Sequence, residues 1–477
     1  MFVKKYSWVI VTVILVLSLL IVLFFSYSKI FGDKNIFKIF SRDDDYYYYL
    51  EIFNSVYNLI KSAYVDADKV DTKTLFHGAI KGMLESLKDP HTAFLSEDDF
   101  KELTVETSGK FGGLGIHISS KDGYIYVISP IEDTPAFREG IRPGDYIIAI
   151  NGETTKGMSV EKAVKLLRGT PGTKVTITIK RGDETFDKTI VREIINIPTV
   201  KWGWLSKEEG IAFVRILQFS GTTLDSFVSA INKLKEEKVG LRGVVFDLRY
   251  NPGGLLDEVL KMLDLLIPEG LLLETRGRIE GSSSKSYASG RKSILPMDLP
   301  IVVLINEGSA SASEIFAGVL QDTGRAVVVG TKSFGKGSVQ TVRQLPDGSG
   351  IRLTISRYYL PSGKTPDEGG IVPDVQVTSL KLTKEVEDLV LRVEREGYIK
   401  DYMRGKTELT DEDVNKISKI LESVGIKLER RVIRALAKKE LPGLPLFDPD
   451  DEYVQKALEV IRSYDRYRKP LVLYKDK

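Results

Sequence analysis

Two segments hold the side chains best able to do chemistry: Gly308-Ser309-Ala310-Ser311-Ala312-Ser313-Glu314 and Phe334-Gly335-Lys336-Gly337-Ser338-Val339-Gln340. The first puts small hydroxyl residues where the apolar run Ile301–Ile305 gives way to a helical pattern. The second sets one lysine between glycines. Together they read as a serine nucleophile, Ser311, with a lysine base, Lys336. Other bases are scarce. The 477-residue chain has no cysteine, no HExxH and only three histidines, His77, His91 and His117. That excludes thiol catalysis and argues against zinc hydrolysis. The histidines fall in an early helix, in the Asp89-Pro90-His91-Thr92 turn and on a strand of a β-rich module. They read as structural residues rather than members of a Ser–His–Asp triad.

Lysine is a base only when neutral. From an ordinary pKa of about 10.4, neutrality near pH 7 takes roughly 4–5 kcal/mol of desolvation or like-charge pressure. No acid neighbours Lys336 in the sequence. In an extended strand, residues 336, 338 and 340 share a face, so Gln340 can orient the amine without ionising. Ser311 has a second reading, because Ser311-Ala312-Ser313-Glu314 is a capping box. The two are compatible, since a helix start also offers N–H groups to an oxyanion. Ala312 N–H is one such donor, and the Asn251-Pro252-Gly253-Gly254 turn offers another from Gly253 or Gly254. The run from Gly330 to Gly337 is one residue short of a phosphate-binding P-loop. The residues after it alternate like a strand instead of opening the helix that a P-loop needs.

The elements around these residues fall into five stretches. Trp8–Phe25 is an uncharged run preceded by Lys4 and Lys5, the pattern of a membrane anchor within residues 1–30 with the remainder outside. A signal segment cleaved near Ser26-Tyr27-Ser28 is the alternative. Residues 31–97 read as a helical region, and residues 98–192 as short strands with one helix, Val160–Leu167, capped by Ser159. Residues 193–378 alternate apolar strands with helices, an α/β core. The stretch 276–292 reads as an exposed loop, and residues 379–477 as charged amphipathic helices. A net charge of +2 leaves no overall footprint for nucleic acid.

These motifs resemble the carboxy-terminal processing peptidases, or tail-specific proteases. The resemblance rests on Asn306–Glu314, on Phe334–Gln340 and on the 25-residue spacing of Ser311 and Lys336. Asp247-Leu248-Arg249, the Gly253-Gly254 turn and Gly369-Gly370-Ile371-Val372-Pro373-Asp374 extend it over roughly residues 45–378. It implies a crotonase-like α/β protease core with an inserted PDZ domain and flanking helical regions, and a serine endopeptidase that needs no metal or cofactor. Ser311 is then the nucleophile, Lys336 the base and Gln340 its partner. Gly113, Leu114, Gly115 and Ile116 form the loop that holds a peptide carboxylate, so the partners are proteins with free C-termini. Arg168, after the groove helix, is read as a latch between PDZ domain and protease, or as a helix-dipole partner. The implied location is the outer side of the cytoplasmic membrane, with residues 8–25 as a single-pass anchor, and the helical ends are candidates for homodimerisation. Two rival readings are a non-catalytic PDZ adaptor and a crotonase-type acyl-thioester enzyme.

Overall fold

The computed structural model describes residues 44–474 except 280, 378–382, 407, 442–445 and 449–450. The Trp8–Phe25 segment lies outside the described residues. Among the described residues no helix is long and apolar enough to cross a membrane. The chain divides into two compact units after Ser86. The first is a helical hairpin of α1 (Asp44–Ala63) and α2 (Thr72–Glu85). Asp71 caps α2 by accepting Thr74 N–H at 2.7 Å, and Phe76 packs edge-on against Phe53 and Tyr57.

The second unit opens with β1 (Ala93–Leu95) and α3 (Glu97–Ser108), whose Ser96–Asp99 capping box starts the helix and whose C-cap, Gly109, has φ 69°. The β-rich module follows: β2 (Lys110–Gly113), β3 (Ile116–Lys121), β4 (Tyr124–Pro130), α4 (Pro135–Arg138), β5 (Tyr146–Ile150), β6 (Glu153–Thr154), α5 (Val160–Leu167), β7 (Lys174–Arg181), β8 (Glu184–Val191) and β9 (Glu193–Asn196). Its main sheet runs β3-β4-β5-β7-β8, and β2 pairs with β9 where the module begins and ends. The clean alternation of β7 buries Val175, Ile177 and Ile179, as a one-sided sheet requires. Helix α5 runs over the residues expected, with Ser159 Oγ accepting Lys162 N–H at 3.2 Å.

The α/β core comprises β10 (Val200–Ser206), β11 (Ile211–Ile216), α6 (Thr223–Glu236), β12 (Gly243–Asp247), α7 (Leu256–Asp264), β13 (Leu271–Gly277), β14 (Ser284–Tyr287), β15 (Ile301–Ile305), α8 (Ala312–Asp322), β16 (Val327–Gly330), β17 (Ser338–Gln344), β18 (Gly350–Tyr359) and β19 (Val375–Gln376). The main sheet runs β10-β11-β12-β15-β16-β19, parallel from β11 onward. Its central strands are buried on both faces, which is why β12 and β15 read as unbroken apolar runs. Ile301, Val303 and Ile305 face α6, α7 and α8, while Val302 and Leu304 face the opposite side. A second sheet runs β1-β18-β13-β14, with β17 also paired to β18.

Helices α9 (Lys384–Glu396), α10 (Tyr398–Met403), α11 (Asp411–Ser423) and α12 (Arg430–Lys439) form their own apolar cluster. They are followed by α13 (Glu452–Arg462) and α14 (Tyr464–Tyr467). Helix α13 covers the second face of the main sheet with Val454, Leu458, Val460 and Ile461. Burial of each stabilises by about 1.5–3 kcal/mol, so part of the C-terminal region completes the core. Three local readings change. Residues 98–108 and 135–138, in the stretch read as short strands with one helix, belong to helices α3 and α4. Residues 284–287, in the expected loop, form β14, a polar edge strand without the apolar alternation that marks a strand. Residues 93–95, in the stretch read as helical, form β1 on the core strand β18.

Candidate active site

Strand β15 ends at Ile305, and the chain must turn sharply to enter α8. Ser311 is the pivot, with φ 54° and ψ −114°. A non-glycine residue there stores about 1–3 kcal/mol of strain unless its surroundings fix it. They do: Asn251 carbonyl accepts both Ala310 N–H at 3.0 Å and Ser313 Oγ–H at 2.9 Å, and Ser309 Oγ–H reaches Leu248 carbonyl at 2.8 Å. The expected cap is present on its carboxylate side, Ser311 N–H donating to Glu314 Oε2 at 2.8 Å. Glu314 N–H is satisfied by the Ser311 carbonyl at 2.8 Å, so capping does not require the hydroxyl.

Glu314 has a larger part than the sequence indicates. It is fully buried, and four donors converge on it. Oε2 accepts Lys336 N–H at 2.8 Å beside Ser311 N–H, and Oε1 accepts Gly335 N–H at 2.7 Å and Ser333 Oγ–H at 2.6 Å. One oxygen therefore joins the backbones of Ser311 and Lys336, whose nitrogens lie within twice that bond length. Burial pushes the Glu314 carboxyl above its ordinary pKa, and these donors, Ser333 first, pull it back part of the way. Tyr358, itself buried, adds a second tie: its hydroxyl lies 2.5 Å from the Lys336 carbonyl and 3.2 Å from that of Ser311.

Lys336 precedes β17 and is half-buried. Burial lowers its ammonium pKa, and the positive charge of Arg352 lowers it further; Asp89 and Glu314 pull the other way. No acid neighbours the lysine in sequence, yet the fold brings these two from 247 and 22 positions away. Asp89 comes from the Asp89–Thr92 turn, which accepts Thr92 Oγ1–H on Asp89 at 2.6 Å and docks on β18 through Arg352 Nε to His91 carbonyl at 3.0 Å. Gln340 shares the β17 face with Ser338, to which its Nε2 donates at 2.9 Å, and it reaches Thr354 at 3.2 Å. Lys336 stands outside the strand, so the shared-face argument holds for 338 and 340 alone.

The glycine turn closes on the serine. A Cβ at Gly253 would sit 2.9 Å from both Ser311 Cβ and Ala312 N, so this approach requires glycine. Gly253 N–H is spent on Asn251 Oδ1 at 2.9 Å. Gly254, with φ 141°, is held by its bridge to Phe219. Among the described residues neither Gly254 N–H nor Ala312 N–H has a partner in the protein. Glu314 thus brings the backbones of Ser311 and Lys336 together next to the glycine turn, while the Ser311 hydroxyl and the Lys336 amine share no hydrogen bond.

Residues 210–377 match the model of peptidase family S41, residues 102–180 that of the PDZ domain, and residues 37–99 that of the activating protease CtpB N-terminal domain. Over 343 residues the chain is 40% identical to a carboxy-terminal-processing protease of Bartonella bacilliformis, covering 71% of this chain and 77% of that protein. The chain belongs to the carboxy-terminal processing proteases of peptidase family S41. It is also 38% identical over 324 residues to the carboxy-terminal processing protease CtpA of Bacillus subtilis, spanning 68% of each. Among solved structures, the photosystem II D1 C-terminal processing protease aligns over 70% of this chain and 94% of its own at 30% identity, with a TM-score of 0.40. The chain is accordingly a serine-type peptidase with a PDZ domain, which sets aside the adaptor and thioester-enzyme readings.

In this peptidase the PDZ groove lies between β3 and α5. A cavity of about 70 Å³ is lined by Leu114, Gly115, Ile116 and Leu167, among others. Leu114 and Gly115 carbonyls are taken by Ala136 and Ile131 N–H at 3.0 and 2.8 Å, while their own N–H groups have no partner among the described residues. Gly113 precedes them at the end of β2. Arg168 lines the same cavity, its guanidinium 4.4 Å above the Phe111 ring. Beside the groove, Lys165 of α5 pairs with Asp98 of α3 at 2.7 Å.

Proposed function

We propose that the chain is an endopeptidase that captures C-terminal tails of protein substrates in its PDZ groove and cuts them with a Ser311–Lys336 dyad outside the cytoplasmic membrane. Ser311 Oγ attacks the scissile carbonyl carbon while neutral Lys336 takes its proton. The carbonyl oxygen gains negative charge next to Ala312 N–H and Gly254 N–H, the donor favoured over Gly253 because Gly253 N–H is already engaged. Lys336 then protonates the leaving amine; a water molecule, giving its proton to the same lysine, attacks the acyl carbon, and Lys336 returns that proton to Ser311 Oγ as the acid is released. Gln340 supports the lysine loop through Ser338. The observation carrying this reading is the shared Glu314 oxygen that binds Ser311 N–H and Lys336 N–H, with the lysine withdrawn from water.

Free N–H groups of Leu114 and Gly115 suit a terminal carboxylate, with Ile116 pairing the peptide strand. A carboxylate entering there competes with Phe111 for the Arg168 guanidinium, which is how tail binding is proposed to reach the protease. Export is read from Lys4, Lys5 and the Trp8–Phe25 segment, with that segment as anchor or cleaved signal. Pairing of two copies is assigned to the helical ends, α1 exposing Tyr46 to Tyr49.

The test is cleavage of an unstructured protein by the wild type, Ser311→Ala and Lys336→Met. Each substitution is expected to lower kcat by several orders of magnitude, since loss of a nucleophile costs about 10⁶-fold. Retention of cleavage by Lys336→Met would remove the lysine from the mechanism.

A further inference from the structure

Arg249 carries its charge inside the fold. Its side chain is 10% exposed, and a buried cation left without an anion is costly. Asp247, fully buried at the end of β12, accepts Arg249 N–H at 3.0 Å, Nε–H at 2.8 Å and an Nη2–H at 3.0 Å. Arg215 stands 3.8 Å from the same carboxylate, so two cations share one anion. The balance is restored across 202 positions, where an Arg249 Nη1–H donates to Asp451 Oδ2 at 2.6 Å.

Asp451 is the N-cap of α13, and its other oxygen accepts Tyr453 N–H at 2.8 Å. Asparagine or serine would cap the helix as well. Only a carboxylate also neutralises Arg249. Tyr453 adds a second contact from the same turn: its ring centroid lies 5.0 Å from Arg249 Cζ, and its hydroxyl is 3.3 Å from Thr331 Oγ1. Thr331 in turn donates to Glu307 at 3.1 Å, in the loop before Ser311.

Arg249 sits inside the segment that shapes the serine corner. Leu248 carbonyl accepts Ser309 Oγ–H, Tyr250 N–H donates to Asn306 Oδ1 at 2.9 Å, and Asn251 carbonyl accepts Ala310 N–H and Ser313 Oγ–H. Asn251 Oδ1 also holds Gly253 N–H, next to Gly254. Leu248, Tyr250 and Asn251 thus bond to the Ser311 loop, while Arg249 between them reaches α13. A shift of the guanidinium is carried to both the serine turn and the glycine turn.

We infer that Asp451 is a positioning residue for the acyl transfer, acting through Arg249 to hold the 248–254 turn against the Ser311 loop. The inference deepens the proposed Ser311 chemistry and rests on it. Helix α13 then sets the geometry of the site as well as covering the sheet.

The test follows cleavage of an unstructured protein by the full chain as wild type, Asp451→Asn, Asp451→Glu and Ser311→Ala, with a urea curve giving the folded fraction of each. Asparagine keeps the cap and loses the charge; glutamate keeps the charge and is not among the favoured caps. A role limited to capping favours the asparagine variant, and the positioning role favours the glutamate. Asp451→Asn is expected to lower kcat per folded molecule about 10–100-fold with KM little changed, the scale of a displacement of up to 1 Å at the reacting groups. Asp451→Glu is expected to recover most of that loss. Wild-type kcat per folded molecule in Asp451→Asn overturns the inference, as does a loss confined to KM or a glutamate variant no better than asparagine. Cleavage by Ser311→Ala would instead refute the nucleophile assignment, so the two failures are distinguishable.

Discussion

Replacing Glu314 by glutamine separates holding the site together from holding the fold together. Each carboxylate oxygen takes two donors: Gly335 N–H and Ser333 O–H on Oε1, Ser311 N–H and Lys336 N–H on Oε2. An amide keeps one acceptor, so either orientation points its NH₂ at two donors. The less costly orientation faces Ser333, whose hydroxyl can turn to accept, and leaves Gly335 N–H unpaired. An orphaned buried N–H costs about 1–3 kcal/mol, and the surviving bonds weaken from charged to neutral strength. Part of this is recovered. Burial holds the Glu314 pKa above its unfolded value. Such an acid contributes stability fully present below the unfolded pKa and lost as pH rises through the folded one. At neutral pH the ionised form is therefore a burden that glutamine lifts, and the net loss of stability is about 1–3 kcal/mol. Activity has no such recovery. A displacement of about 1 Å between reacting groups costs about 10²-fold, so kcat is expected to fall about 10²-fold with KM little changed.

The assay pairs a urea unfolding curve with the pH profile of kcat/KM on an unstructured protein. The negative charge of Glu314 raises the Lys336 pKa. Removing it lowers that pKa further, so more lysine is neutral at a given pH and the acid limb moves to lower pH. A folded Glu314→Gln enzyme with wild-type kcat and an unmoved limb refutes the clamp. A loss of kcat no larger than the loss of folded protein refutes it equally.

Arg352→Gln should move the same limb the opposite way, because the Arg352 charge lowers the Lys336 pKa and its removal raises it. The pH profile decides, and a limb that stays or falls counts against Arg352. At Gly254, with φ 141°, an alanine Cβ would fall on the Phe219 carbonyl oxygen and force the turn off the serine. Gly254→Ala should cost about 10²–10³ in kcat, the worth of one oxyanion donor, with the limb unmoved. Wild-type kcat would place the donor elsewhere.

What could be read from the sequence is what closes within a few residues. Ser159 and helix α5, the alternation of β7, the capping box at Ser311 and the strand–turn–helix rhythm of the core all depend on neighbours one to four positions away. The clamp does not. Glu314 meets Ser333 and Lys336 across 19 and 22 residues, and Asp89 reaches the lysine from the far end of the unit. The same Glu314 gives a correct local signal, its cap on Ser311, which accounts for the residue without pointing to a second partner. Lys336 shows the converse. Its neighbours in sequence are uncharged, which suggests desolvation correctly, yet the charges that act on its proton affinity are Arg352, Asp89 and Glu314, none within 15 positions. Desolvation is partly a local property, because glycines and apolar residues beside a lysine keep water away whatever else surrounds it. Coulomb terms act through space, and only the folded sheet brings β18, the Asp89 turn and the start of α8 to one amine. Local sequence can therefore nominate a candidate base lysine; the charges that tune its proton affinity come from tertiary structure.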